Sequence, residues 1–147
     1  EMALYVLRGT VGNRRLSGLA SLPEVGFKLG VIGGYYYGPE FEALMANPAF
    51  AQQVEVASDY ATNIRKLIHG RIDGVLADDV TAAMEAAKAL SVRERIERYP
   101  LAIPGNASQL LFSKKSVAPA LVAAVNARLA AMKSDGRLQR IMDKYAK

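Results

Sequence analysis

Short, unbroken apolar runs alternate along this chain with longer stretches whose apolar positions recur at helical spacing. Residues 3–7 (Ala-Leu-Tyr-Val-Leu) form an apolar run of strand length, and 28–32, 54–57 and 72–77 repeat the pattern. Between them the period changes. A helix is expected from Pro39 to about Met45, closed by Asn47-Pro48. Another should open on Ser58 or Asp59 as cap, place Ile64, Leu67 and Ile68 on one face, and end at Gly70. An alanine-rich helix is expected over 81–90, and a short helical or irregular segment over 16–22, before Pro23. Residues 95–103 and 108–113 read as extended. The stretch 119–132 reads as a long amphipathic helix, with Leu121, Val122, Val125, Leu129 and Met132 spaced for burial. Asp135-Gly136 breaks it, and a last helix follows over 137–145.

Strands that alternate with helices predict an α/β fold built on a largely parallel sheet flanked by helices. In such sheets ligands bind outside the carboxyl ends of the strands. Two of the expected strand ends carry usable chemistry, Gly33 to Tyr37 and Asp78-Asp79. In the first, the glycine pair permits backbone angles closed to other residues, and Pro39 suits a first helical position. The turn is therefore expected to offer N–H groups, at Gly34, Tyr35 and Tyr36, near the positive end of a helix, where an anion binds well. It has neither P-loop nor dinucleotide-fingerprint spacing, so nucleotide binding is not expected. No internal repeat or low-complexity segment is evident.

Composition narrows the function classes. The 147 residues are 51% hydrophobic and 22% charged, ordinary for a globular protein. No apolar run approaches the ~18 residues of a membrane span. The chain opens directly on an expected strand, without the pattern of a targeting segment, so an exported protein would already have lost its signal. The net charge of +5 is scattered, and Arg93, Arg95 and Arg98 alternate with Glu94 and Glu97. Mixed signs at that spacing form a solvated face, and no aromatic interleaving accompanies them, so nucleic acid is not an expected partner. Cysteine is absent, and the single histidine, His69, falls at a helix end, where a capping cation or a solvated surface group is expected and not a catalyst or metal ligand. Neither metal nor cofactor is expected.

Three stretches occur in an informative order: Gly30-Val-Ile-Gly-Gly-Tyr-Tyr-Tyr37, then Leu67-Ile-His-Gly-Arg-Ile-Asp-Gly-Val-Leu-Ala-Asp78, then Val125-Asn-Ala-Arg-Leu-Ala-Ala-Met-Lys-Ser-Asp-Gly-Arg-Leu-Gln-Arg-Ile-Met-Asp-Lys-Tyr145. Together they resemble the family 3 extracellular solute-binding proteins, the periplasmic receptors of polar amino-acid ABC transporters, across nearly the whole chain. The resemblance implies a clamshell of the type II periplasmic-binding-protein kind. Two α/β lobes joined by hinge strands trap a small polar ligand, an amino acid or related zwitterion, and then engage the transporter's membrane subunits. In that frame 10–100 is the second, ligand-binding lobe. Residues 1–9 and 101–147 supply hinge strands and the C-terminal part of the first lobe, with crossings at 5–8 and 101–103. The family's N-terminal part of the first lobe has no counterpart. The expectation is therefore a fragment, or a lobe completed by a second chain or a swapped copy.

The same resemblance places ligand contacts at Gly34, Tyr35, Tyr36 and Asp78. Asp78 matches the carboxylate that takes the ligand's ammonium; its bland alternative, shared with Asp79, is to cap the following helix. Tyr35 and Tyr36 stand where many amino-acid binders carry small hydroxyl residues, and their rings add a stacking surface. Their bland alternative is packing. Arg71-Ile72-Asp73 fits a structural turn, and Glu40 and Glu42 suit the first turn of a helix without any catalytic role. The protein is read as a binder and not an enzyme, located in the periplasm or outside the cell. The alternatives are the ligand-sensing domain of a signalling receptor and a dehydratase-like enzyme on the same fold, for which Asp78 and Asp79 would be the acid–base candidates.

Overall fold

The computed structural model describes residues 2–77, 80–104 and 110–145. The chain divides into two compact units, residues 1–106 and 107–147.

The first unit is built on a five-stranded sheet in the order β3-β2-β4-β1-β5, with β1 at Ala3–Leu7, β2 at Leu29–Ile32, β3 at Val54–Ala57, β4 at Gly74–Ala77 and β5 at Ile96–Arg98. β2 pairs in parallel with β3 and β4, whereas β1 is antiparallel to both β4 and β5. Four strands thus share one direction and β1 opposes them, a mixed, largely parallel sheet. The helices are α1 (Leu22–Val25), α2 (Pro39–Met45), α3 (Pro48–Ala51), α4 (Tyr60–Ile68) and α5 (Val80–Ala89).

Because successive strand residues face opposite sides, the continuous apolar runs feed two cores. Leu4 and Val6 of β1, Leu29 and Val31 of β2 and Leu76 of β4 join Leu22, Phe27, Phe41 and Phe50 on one face. Ala3 and Tyr5, Ile32, Val75 and Ala77 join Tyr60, Ile64, Leu67 and Ala87 on the other. Two glycines let the layers close. A methyl group at Gly30 would come within 2.5 Å of Ile72 Cδ1 and 2.8 Å of Asn63 Oδ1, and one at Gly74 within 2.8 Å of Leu4 Cδ1 and of Phe27 Cζ. Asn63 is fully buried, and its Nδ2 donates to the carbonyl of Val31 at 2.9 Å, tying α4 to β2.

Some expectations shift. Pro23 does not end a helical segment but sits in the first turn of α1, where a missing N–H costs nothing. The fourth strand begins at Gly74 because Arg71 and Asp73 turn the chain: the N–H groups of Asp73 and Gly74 donate to the Lys28 carbonyl. Only 96–98 of the extended stretch 95–103 pairs in the sheet. Of 108–113, residues 108 and 109 lie outside the described residues, and 110–113 form no strand.

The second unit consists of α6 (Pro119–Ser134) and α7 (Arg137–Tyr145), which pack on each other across Asp135-Gly136. Asp135 accepts from the backbone N–H of Arg137 at 3.0 Å and pairs with its guanidinium at 2.6 Å. The spacing of Leu121, Val122, Val125, Leu129 and Met132 predicts burial, yet Leu121 is 55% exposed, the other four are half-buried, and no residue of α6 is buried. Leu110, Leu111, Phe112, Val117 and Val122 line an open apolar groove of about 750 Å³ within this unit.

Candidate functional site at the carboxyl edge of the sheet

The site is assembled where β2, β3 and β4 end. At the end of β2 the ladder runs one residue further, as the Gly33 N–H donates to the Ala57 carbonyl at 2.9 Å. Gly34 then adopts a left-handed conformation, φ +80°, and the Tyr35 N–H closes the turn on the Ile32 carbonyl at 3.4 Å. A side chain at Gly34 would be strained there, which is the requirement the glycine meets. Its own N–H donates to no group among the described residues.

The three tyrosines part company. Tyr37 is buried: its hydroxyl accepts from the Ile32 N–H at 2.7 Å, and its ring packs on Phe41 at 5.1 Å between centroids. Tyr35 and Tyr36 remain 47% and 58% exposed. Burial therefore claims one ring of the three, and the two proposed for ligand contact stay about half-exposed. The helix N-terminus lies where the sequence predicts it. α2 starts at Pro39 with Gly38 (φ +100°) as its cap, and the Tyr35 N–H is already spent in the turn. Of the anion-binding N–H groups expected from Gly34 to Tyr36, Tyr35's closes the turn and Gly34's meets no acceptor among the described residues.

At the end of β3, Asp59 caps α4. Its carboxylate accepts from the Thr62 N–H at 2.7 Å, from the Ser58 hydroxyl at 2.9 Å and from the Thr62 hydroxyl at 3.2 Å. These bonds, the backbone one foremost, hold its pKa below the ordinary value. The Tyr35 ring meets the Tyr60 ring edge-on, centroids 6.4 Å apart. This places the end of β2 beside the start of α4. That neighbour was not foreseen, since seeing it requires knowing that β3 lies next to β2. The end of β4 leads to Asp78 and Asp79, which lie outside the described residues.

The opposite edge is structural. Asp73 accepts from the Arg14 guanidinium at 2.5 Å and from the Lys28 N–H at 2.7 Å, pinning the 9–18 loop below the sheet. The Tyr99 hydroxyl donates to the Arg14 carbonyl and accepts from the Leu16 N–H. A cavity of about 210 Å³ lies there, between Thr10, Asn13, Arg14 and Asp73, and a groove of about 660 Å³ follows 98–104. Among the described residues no cluster of three His, Cys, Asp or Glu could hold a metal, and no helix is long and apolar enough to cross a membrane.

The fold is periplasmic-binding-protein-like. Among solved structures, an ancestral arginine-binding protein bound to arginine matches with a TM-score of 0.65 at 21% identity, over 99% of this chain and 60% of that one. An amino-acid ABC transporter substrate-binding protein from Streptococcus pneumoniae bound to L-arginine matches at 0.64 and 17%, over 99% and 56%. A histidine kinase sensor domain with similarity to periplasmic binding proteins matches at 0.58 and 18%, over 98% and 57%. This chain thus spans about three fifths of the length of the structures it resembles. No protein-family model and no curated protein matches it.

Proposed function

We propose that this chain is the ligand-binding part of a two-lobed receptor for a small polar ligand, an amino acid or related zwitterion, working as the solute-binding component of an ABC transporter in the periplasm or outside the cell. Residues 10–100 form the second lobe. Residues 1–9 and 101–147 belong to the hinge and to a first lobe that a further segment, a second chain or a swapped copy completes. The Gly34 N–H and the Tyr35 and Tyr36 hydroxyls take the ligand's carboxylate, the two tyrosine rings offer a stacking surface to the ligand, and Asp78 takes its ammonium. The carrying observation is the pair of exposed tyrosines on a glycine turn at the carboxyl edge of this fold. Such rings otherwise bury their surface. One lobe provides a wall, and closure by another turns that wall into a cavity and presents a surface to the membrane subunits. The reading assigns no chemistry to the protein.

Calorimetric titration with a panel of polar amino acids tests this. Saturable binding at millimolar or tighter affinity, abolished by Asp78→Ala and weakened by Tyr36→Ala, is the expected result. A folded chain that binds none of them overturns the proposal. The similarity to a histidine kinase sensor domain favours sensing as the second reading; a membrane-spanning segment joined to a kinase in the same gene would decide for it.

A further inference from the structure

The net charge is scattered along the sequence but not between the two units. Residues 107–147 hold eight Lys and Arg against Asp135 and Asp143, a net +6, whereas residues 1–106 hold eleven against twelve acids, a net −1. The whole surplus of +5 therefore belongs to the second unit, which also has no buried residue among those described. All of its described Lys and Arg are exposed, and they border its apolar surface. By helical spacing, Arg128 and Lys133 fall on the two flanks of the α6 stripe that runs from Leu121 to Met132. Arg137, Arg140 and Lys144 line one flank of Ile141 and Met142 on α7. Lys114 shares the apolar groove with Leu110 and with Leu111, which is 91% exposed. Of the two acids, Asp135 is paired with Arg137, so Asp143 is left against the remaining cations.

We propose that the second unit docks on an anionic lipid surface, with its exposed leucines, Ile141 and Met142 entering the headgroup boundary and its Lys and Arg meeting the negative headgroups. Apolar side chains bordered by cations fit such a surface, because burial of the apolar atoms and attraction to anionic lipid add. Each long cation can lay its stem over apolar ground while its charged end stays wet. A second copy is a poorer occupant, since +6 would face +6. A bilayer also demands no matching shape, which suits apolar side chains spread over the 110–113 segment, α6 and α7. No described helix is long and apolar enough to cross a membrane, so the contact is with its surface. The proposal stands apart from the receptor reading, and either can fail without the other.

The test sediments the full chain, its fold checked by circular dichroism, with sucrose-loaded vesicles. One set is phosphatidylcholine alone, and the other mixes it about 3:1 with phosphatidylglycerol. The anionic vesicles are expected to bind at least ~10-fold more tightly than the neutral ones, and salt raised from about 0.05 to about 0.5 M should weaken that binding several-fold. Lys114→Gln with Lys115→Gln should weaken it about 3- to 30-fold. Leu110→Ser with Leu111→Ser should weaken it about 10-fold. All four side chains are exposed, so the variants are expected to fold. Equal uptake by both vesicles, uptake by neither, or uptake indifferent to either double variant overturns the proposal. Retention on immobilised polyglutamate without uptake by vesicles overturns it in favour of an acidic protein. A solution mass of two chains without uptake overturns it in favour of a second copy. Amino-acid binding by a chain that ignores both vesicles leaves the receptor reading standing.

Discussion

The two units use the same apolar spacing and end in opposite states. In α4, Ile64 and Leu67 are 2% and 1% exposed, because a sheet face lies against them. In α6, Leu121, Val125 and Leu129 recur with equal regularity, and nothing in α6 is buried. A periodic pattern specifies which face of a helix wants cover; it does not supply the cover. The first unit encloses its own two cores, whereas the second exposes Leu110, Leu111, Leu121, Ile141 and Met142. A piece of this size with no interior is below what a hydrophobic core can stabilise alone.

The largest effect expected from this contrast comes from matched leucine truncations. Leu76 is fully buried, and Leu76→Ala should cost about 2–5 kcal/mol by lost burial and an unfilled cavity. Leu121→Ala, at 55% exposure, should fall within ~0.5 kcal/mol of the parent. Denaturant unfolding of both measures the difference. A Leu121→Ala cost near that of Leu76→Ala would break the comparison, because it would mean that α6 is covered in solution. A solution mass above that of one chain would then identify a second copy as the cover.

Next comes Gly30→Ala, which tests how closely the first unit is packed. The added methyl would press on Ile72 Cδ1 and Asn63 Oδ1, for an overpacking cost of about 1–3 kcal/mol. Gly12→Ala meets open space and has no positive φ to strain, so it is the control. Equal stability for the two variants would show that α4 can shift away from β2.

Within the tyrosine run the same division between buried and open can be read at single-residue scale. Tyr37→Phe removes the acceptor of a buried Ile32 N–H and should cost about 1–3 kcal/mol. Tyr36→Phe should leave stability within ~0.5 kcal/mol, and any effect it has should appear in ligand titration. If Tyr36→Phe destabilises as Tyr37→Phe does, the exposed ring is structural and the site loses a member.

Much of this architecture was legible beforehand, and the reasons differ by element. Ala3–Leu7 and Val54–Ala57 were readable to the residue, because short apolar runs bounded by turn residues have few other solutions. The Pro39 start was readable and the α4 cap was narrowed to Ser58 or Asp59, of which the structure uses Asp59, because each follows from orphan N–H groups in the first turn. The antiparallel course of β1 was not, since a run buried on both faces carries no signal of direction. Nor was the inward turn of Tyr37 beside two exposed tyrosines, which depends on one hydrogen bond to Ile32. The Arg14–Asp73 pair spans 59 residues and becomes visible only once the strand order is known. For the candidate site, the turn at Gly34, Tyr35 and Tyr36 and the helix start at Pro39 were legible, and Asp78 lies outside the described residues.

The smallest expected effect compares two exposed aspartates, one in each unit. Hydrogen bonds lower the pKa of both: Asp59 chiefly through the Thr62 N–H, and Asp135 chiefly through the Arg137 side chain. A carboxyl whose pKa is lower folded than unfolded contributes stability above the unfolded value, and that contribution is lost as pH falls through the folded one. The loss should therefore begin near the ordinary value of 3.8 and deepen below it. Asp59→Asn keeps a good helix cap but cannot titrate, so it should remove Asp59's share of the acid dependence of thermal unfolding. Asp135→Asn should barely move that transition, because no described residue of α6 or α7 is buried for global unfolding to release. Asp135 should instead report its titration only locally, as an acid shift in its own carboxyl resonance. Equal changes in acid unfolding from the two variants would show that the second unit melts together with the first, and that its apolar face is covered after all.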